Sequence, residues 1–166
     1  REMGVKRLVI VGGYDAWRVA DLLRDNAVSV ILQRVHSLPR RDDDDIDLPY
    51  RLPALLKERG IRFCLGYRGD MERMGARNLA FTAGTAQAYG LTEEEAVQAI
   101  TLDAARILGI DADYGSLEVG KSATLFLSTG PALDMRTNHL TYAFIDGRHI
   151  DLADHQQQLY RAYKAR

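Results

Sequence analysis

Only one cysteine, Cys64, occurs in the 166 residues, so no disulfide can form within the chain. Basic charge is not in excess either: 22 Lys and Arg face 23 Asp and Glu, a formal net charge of -1. Phosphate recognition needs a positive surface, so this balance argues against a nucleic-acid partner. No apolar run is long enough to span a bilayer and no signal-peptide pattern is present, so no membrane partner is expected, and the compartment stays open. Internal repeats are lacking too. What is there is ordinary globular composition, 46% hydrophobic and 27% charged, in a length that suits a sizeable core.

Arg7-Leu8-Val9-Ile10-Val11 is a β-branched apolar run ending on Gly12-Gly13, the pattern of a buried parallel strand. Tyr14 or Asp15 then opens a helix with Ala16, Val19, Ala20, Leu22 and Leu23 at helical spacing, stopped at Asn26. Residues 28–32 predict a second strand, 34–49 a loop rich in Pro, Arg and Asp, 52–59 a helix closing on Gly60, and 62–65 a third strand. This alternation implies parallel strands joined by right-handed crossovers. The middle reads as helical over 79–89, from the Thr92/Glu95 capping box to Ile100, and over 102–108 up to Gly109. Strands follow at 123–127 and 141–145, with Asp146-Gly147 as a hairpin signal into 148–150 and an amphipathic helix from about Ala153. Arg1-Glu2-Met3-Gly4 reads as the end of a helix closed by glycine, which suggests a longer protein cut just before a strand.

Two segments are more specific than any periodicity: Thr101-Leu102-Asp103-Ala104-Ala105-Arg106-Ile107-Leu108-Gly109, and Gly115-Ser116-Leu117-Glu118-Val119-Gly120-Lys121-Ser122-Ala123-Thr124-Leu125. In this order and separation they resemble the exit from the barrel in the metal-dependent amidohydrolase superfamily. There a T-x-N-P-A-x-x-L-G helix precedes G-x-L-x-x-G-K-x-A-D-L and leads into a small β-sandwich. Phe144-Ile145-Asp146-Gly147-Arg148 resembles the family's closing strand pair. Ala76-Arg77-Asn78-Leu79 with Ala83-Gly84-Thr85-Ala86 resembles the helix after the last barrel strand in the imidazolonepropionase-like branch. Departures are mild: Asp103 for Asn, Ala104 for Pro and Thr124 for Asp. The resemblance implies an α/β fold. Residues 1–112 would be the C-terminal part of a (β/α)8 TIM barrel, about three parallel strands with helices, and 113–166 a β segment of a composite sandwich with a terminal helix. The strands at Arg7, Val28 and Arg62 would then be the sixth, seventh and eighth.

A barrel's chemistry sits at the C-terminal ends of its strands, here residues 12–15, 34–37 and 66–70. The resemblance implies one or two divalent ions, zinc or similar, held by histidines on the first, fifth and sixth strands, a fourth-strand lysine or acid, and an aspartate after the eighth. Such a metal makes hydroxide from water and polarises a carbonyl, while the aspartate moves the proton to the leaving nitrogen. Both ligand positions within this chain are substituted: Gly12 falls where the histidine is expected and Arg68 where the aspartate is. Arg68 repels a cation and can instead supply a fixed positive charge. Asp70 is either a displaced ligand or a cap on the following loop. This chain alone is therefore assigned no metal ligand, and a divalent metal belongs to the full-length protein.

Tyr14, Tyr67 and His36 are the candidate substrate contacts, with a structural loop contact as the alternative for His36. His139, His149 and His155 read as surface, and Cys64 as a buried small hydrophobe. The run Asp42-Asp43-Asp44-Asp45 lacks EF-hand spacing and reads as a solvated acidic loop. Gly12-Gly13 is not a dinucleotide fingerprint, because Tyr14 and Trp17 occupy its second and third glycine positions. The expected function is hydrolysis of C–N bonds in non-peptide or dipeptide amides, with this chain inactive alone. The alternative is a non-catalytic binding or assembly module. Expected partners are the missing N-terminal half, a small-molecule substrate, and further copies of the chain associating through unpaired sheet edges.

Overall fold

Three apolar runs become three parallel strands, β1 (Val9–Gly12), β2 (Ser29–Gln33) and β3 (Phe63–Gly66), in the order β1-β2-β3. The computed structural model describes residues 4–33, 35–67 and 72–165. Register places Gly12 beside Leu32 and Gln33 beside Gly66, so all three C-terminal ends lie along one side of the sheet. Each strand begins and ends one or two residues later than its apolar run predicts. Ladder pairing, not apolarity, sets the ends: Arg7 sends its guanidinium away to the Ile107 carbonyl (2.7 Å) and the Arg106 carbonyl (3.3 Å).

The core lies between this sheet and its helices. Val30 and Leu32 of the central strand are fully buried with Val35 and Leu56. Small residues (Ala83, Ala86, Ala96 and Ala99) complete the cluster and let helices approach closely. Those helices are α3 (Leu79–Ala88) and α4 (Glu93–Ile100); α4 and the following α5 (Leu102–Leu108) pack on β3. The predicted capping box starts α4: the Glu95 amide donates to Thr92 Oγ1 (3.2 Å) and the Thr92 amide to Glu95 Oε2 (3.0 Å).

Two helix boundaries correct the sequence reading. No continuous helix opens at Tyr14 or Asp15. A 3-10 turn (Ala16–Val19) comes first and α1 occupies only Ala20–Asp25, because the Asp15 carboxylate is held by arginines and does not cap. The helix expected over 52–59 is α2 (Leu48–Glu58), starting one turn earlier, with Pro49 in its first turn and Pro53 inside it. Pro49 is tolerated in the first turn, where its missing N–H had no intrahelical partner.

The second sheet is antiparallel, in the order β4 (Leu125–Ser128), β5 (Leu140–Ile145) and β6 (Arg148–His149). Asp146 and Gly147 make the β5–β6 turn with positive φ at both, +49° and +77°, as a two-residue hairpin requires. The Asp146 carboxylate accepts the Ser122 hydroxyl, pinning the turn to the approach of β4. The terminal helix α6 (His155–Lys164) is capped by Asp154 and buries no residue.

Candidate functional site

The C-terminal ends of β1 and β2 open into a cavity of about 250 Å³. Gly12, Tyr14, Gln33, Ser37 and Arg40 supply its backbone and polar wall, and Leu32, Leu38 and Leu52 its apolar wall. Gly13, between two of the lining residues in sequence, packs against the core. Its φ is +66°, and a Cβ there would stand 2.6 Å from Val30 Cγ1, so any side chain would strain the backbone and strike the central strand. Gln33 is the last residue of β2, and its Nε2 is buried with no hydrogen-bond partner among the described residues.

A network of polar residues fixes the loop that closes over the cavity. The Tyr14 hydroxyl donates to Asp44 Oδ2 (2.8 Å) and accepts from the Arg40 amide (3.2 Å). Burial, reinforced by the Asp44 carboxylate, pushes the Tyr14 hydroxyl above the ordinary tyrosine range, so it remains a neutral donor. Arg41 makes a two-pronged bond to Asp15 (2.8 and 2.9 Å), which holds the Asp15 carboxyl below the usual aspartate range. Arg18 bridges Asp15 (3.3 Å) and Asp44 (3.5 Å). The Asp44 side chain is only 2% exposed, which corrects the reading of 42–45 as uniformly solvated. It is buried because a phenol hydroxyl and two guanidinium groups meet it.

The other candidate residues are placed as follows. His36 does not line the cavity. Its Nε2 lies 2.6 Å from Thr85 Oγ1 on α3, and its ring lies 6.0 Å from that of Tyr50, which stacks on Tyr89 at 5.3 Å. Thr85 Oγ1 also donates to the Phe81 carbonyl (3.1 Å), so this contact ties His36 to α3. Tyr67 meets Thr82 Oγ1 at 2.8 Å; Thr82 donates to the Asn78 carbonyl, so the Tyr67 hydroxyl is the donor and is spent on packing α3. Arg68 and Asp70 lie outside the described residues. Cys64 is buried, and that burial pushes its thiol up to about 11. His139, His149 and His155 are exposed. Gln33 and Arg40 were not singled out from the sequence. The signal for Gln33 was a polar residue closing an otherwise apolar strand run.

The described donors at this face do not fit a divalent ion. Gly12 offers no side chain, Tyr14 has its hydroxyl engaged, and Arg40 carries positive charge. Among the described residues, no three His, Cys, Asp or Glu converge to hold a metal.

The sequence profile of the amidohydrolase family matches residues 50–150, more than half of the chain. This chain belongs to the amidohydrolase family. Among its relatives, a 5-methylthioadenosine/S-adenosylhomocysteine deaminase from Symbiobacterium thermophilum is 36% identical over 77 residues, 46% of this chain and 17% of the deaminase. An imidazolonepropionase from Pseudomonas aeruginosa is 60% identical over 35 residues, 21% of this chain and 9% of that protein. In three dimensions the chain is similar to an amidohydrolase from Thermotoga maritima, with a TM-score of 0.75 and 27% identity over 87% of this chain. It spans only 37% of that structure and under a fifth of each curated relative. The α/β architecture, with three parallel strands of an amidohydrolase barrel followed by a small antiparallel sheet, agrees with the family.

Proposed function

We propose that these residues form the C-terminal wall of a hydrolase that cleaves a C–N bond outside peptide chains or in dipeptides. The observation that carries this reading is the family match over 50–150, with the strand-end cavity lying where a barrel's chemistry is built. In this reading the chain's own residues bind and orient substrate: Gly12 leaves space, Tyr14 fixes the loop, and Gln33 and Arg40 face the cavity. Any divalent metal would be held by residues outside those described here.

The test is an amide-hydrolysis and deamination assay on the longest natural protein that contains this chain, with and without added zinc. Metal-dependent release of amine or ammonia is the expected result. A second reading, a non-catalytic binding module, is favoured by one observation, the glycine at position 12. Stoichiometric metal with turnover rejects that second reading; neither metal nor turnover rejects the first.

A further inference from the structure

We propose that α6 of one copy of this chain docks into the groove between α3 and the loop after β4 of a second copy. The inference concerns assembly and stands apart from the hydrolase reading.

The first ground is the groove. It encloses about 510 Å³ between α3 and residues 131–135. Gly84 closes its floor, because the missing Cβ lets α3 approach the Leu133 carbonyl. Phe81, Tyr89, Pro131 and Met135 line it with apolar surface, and Met135 is 69% exposed. The Tyr89 ring is steadied by stacking on Tyr50 at 5.3 Å. Two carboxylates also line the groove. Glu93 has no ion pair among the described residues. Asp134 accepts from the Arg136 amide (2.9 Å) and the Thr137 hydroxyl (3.0 Å), which hold its carboxyl below the usual aspartate range and keep it anionic.

The second ground is α6. It buries no residue in its own chain, and none of its residues lines the groove. Leu159 and Tyr160 are 42% and 64% exposed. Tyr160 and Lys164 are four positions apart and so share a stripe, with the ammonium 5.6 Å from the ring centre. Arg161 and Lys164 place positive charge in the last turn, and neither has an ion pair among the described residues.

The two surfaces are complementary: an apolar groove with carboxylates, and an exposed helix with apolar side chains and cations. Both are open on a single copy, so two copies supply helix and groove in equal number. A helix laid into an apolar groove gains most from its large apolar side chains, here Leu159 and Tyr160. The charges, with Lys164 toward Glu93, set orientation more than strength. This contact uses side chains and no backbone ladder, so it is distinct from pairing of the strand edges.

The experiment follows the whole 166-residue chain, 15N-labelled, through a dilution series by NMR. Amide signals of Thr85, Gln87, Glu93 and Met135 should move with concentration together with those of Leu159 and Lys164, on one binding curve. Leu159→Ser is expected to abolish that movement and to leave the signals of β2 in place. Glu93→Lys or Lys164→Glu alone should weaken association roughly fivefold, and the two combined should restore it to within about twofold. Groove signals independent of concentration, as from a helix folded back on its own chain, overturn the proposal. So do movement confined to β1 and β3, α6 signals that move without the groove, or a double reversal no tighter than either single one.

Discussion

The Tyr14 hydroxyl donates to the Asp44 carboxylate across 2.8 Å, and this bond ties the end of β1 to the loop between β2 and α2. The loop's acidic run is thus anchored through one buried member, Asp44, while Asp42, Asp43 and Asp45 stay exposed.

Tyr14→Phe removes that donor and leaves Asp44 with its arginine partners alone. A loss of about 1–3 kcal/mol in stability is expected, read as a lower urea midpoint with an unchanged slope. An unaltered midpoint would show that the arginines hold the loop by themselves.

Cys64 is expected to be inert in the folded chain. Burial, with a smaller contribution from the Asp103 carboxylate, holds its thiol at about 11, so thiolate is scarce near neutrality. Alkylation by iodoacetamide at about pH 8, followed by mass shift, should be slow in buffer and fast in urea. Rapid labelling of the native chain would contradict the packing of β3 under α4 and α5.

Thr92→Ala breaks the capping box of α4 and should cost about 1 kcal/mol. Glu95, the other half of the box, has its carboxyl held below the usual value of 4.5, first by the Thr92 amide and then by Lys57 at 3.0 Å. A depressed carboxyl contributes stability above its unfolded value and loses it as the pH falls through the folded one. Stability should therefore decline as the pH drops below about 4.5, and Glu95→Gln should flatten that part of the profile. An identical acid profile in the variant would count against this origin.

Gly84→Ala should be disruptive despite its small size. A Cβ at this position on α3 would overlap the Leu133 carbonyl oxygen, so the helix and the loop after β4 would have to separate. Overpacking of this kind costs about 1–3 kcal/mol, visible as a lower melting temperature. A melting temperature equal to the parent's would show that the loop yields freely.

The isolated chain should self-associate. Among the described residues, β1 and β3 are each paired on one side only, and Leu8, Val11, Phe126, Tyr142 and Ile145 are all about half exposed. Light scattering across a concentration series should show mass rising above 18.6 kDa. A constant monomer mass at high concentration would reject this.

Much of the fold was legible in the residues. The Thr92/Glu95 box, the Gly109 stop, the Asp146-Gly147 hairpin and the three apolar runs are local signals, decided by neighbours within a few positions. The contacts of the candidate site residues were not legible. The sequence named residues at the strand ends, and of these His36 faces α3 and the Tyr67 hydroxyl is spent on Thr82. A side chain's direction depends on partners such as Thr82 and Thr85, more than ten positions away, which no local pattern reveals.

By itself, then, the sequence determined the family, through residues 101–125 and the closing hairpin, and the parallel order of the first three strands. Tertiary structure alone decided that Arg7 reaches the end of α5, that Asp44 is buried against Tyr14, and that Gln33 and Arg40 meet at one cavity while Arg18 and Arg41 are paired elsewhere. The reason is range: backbone signals act over a few residues, whereas charge pairing and burial join side chains that only the folded chain brings together.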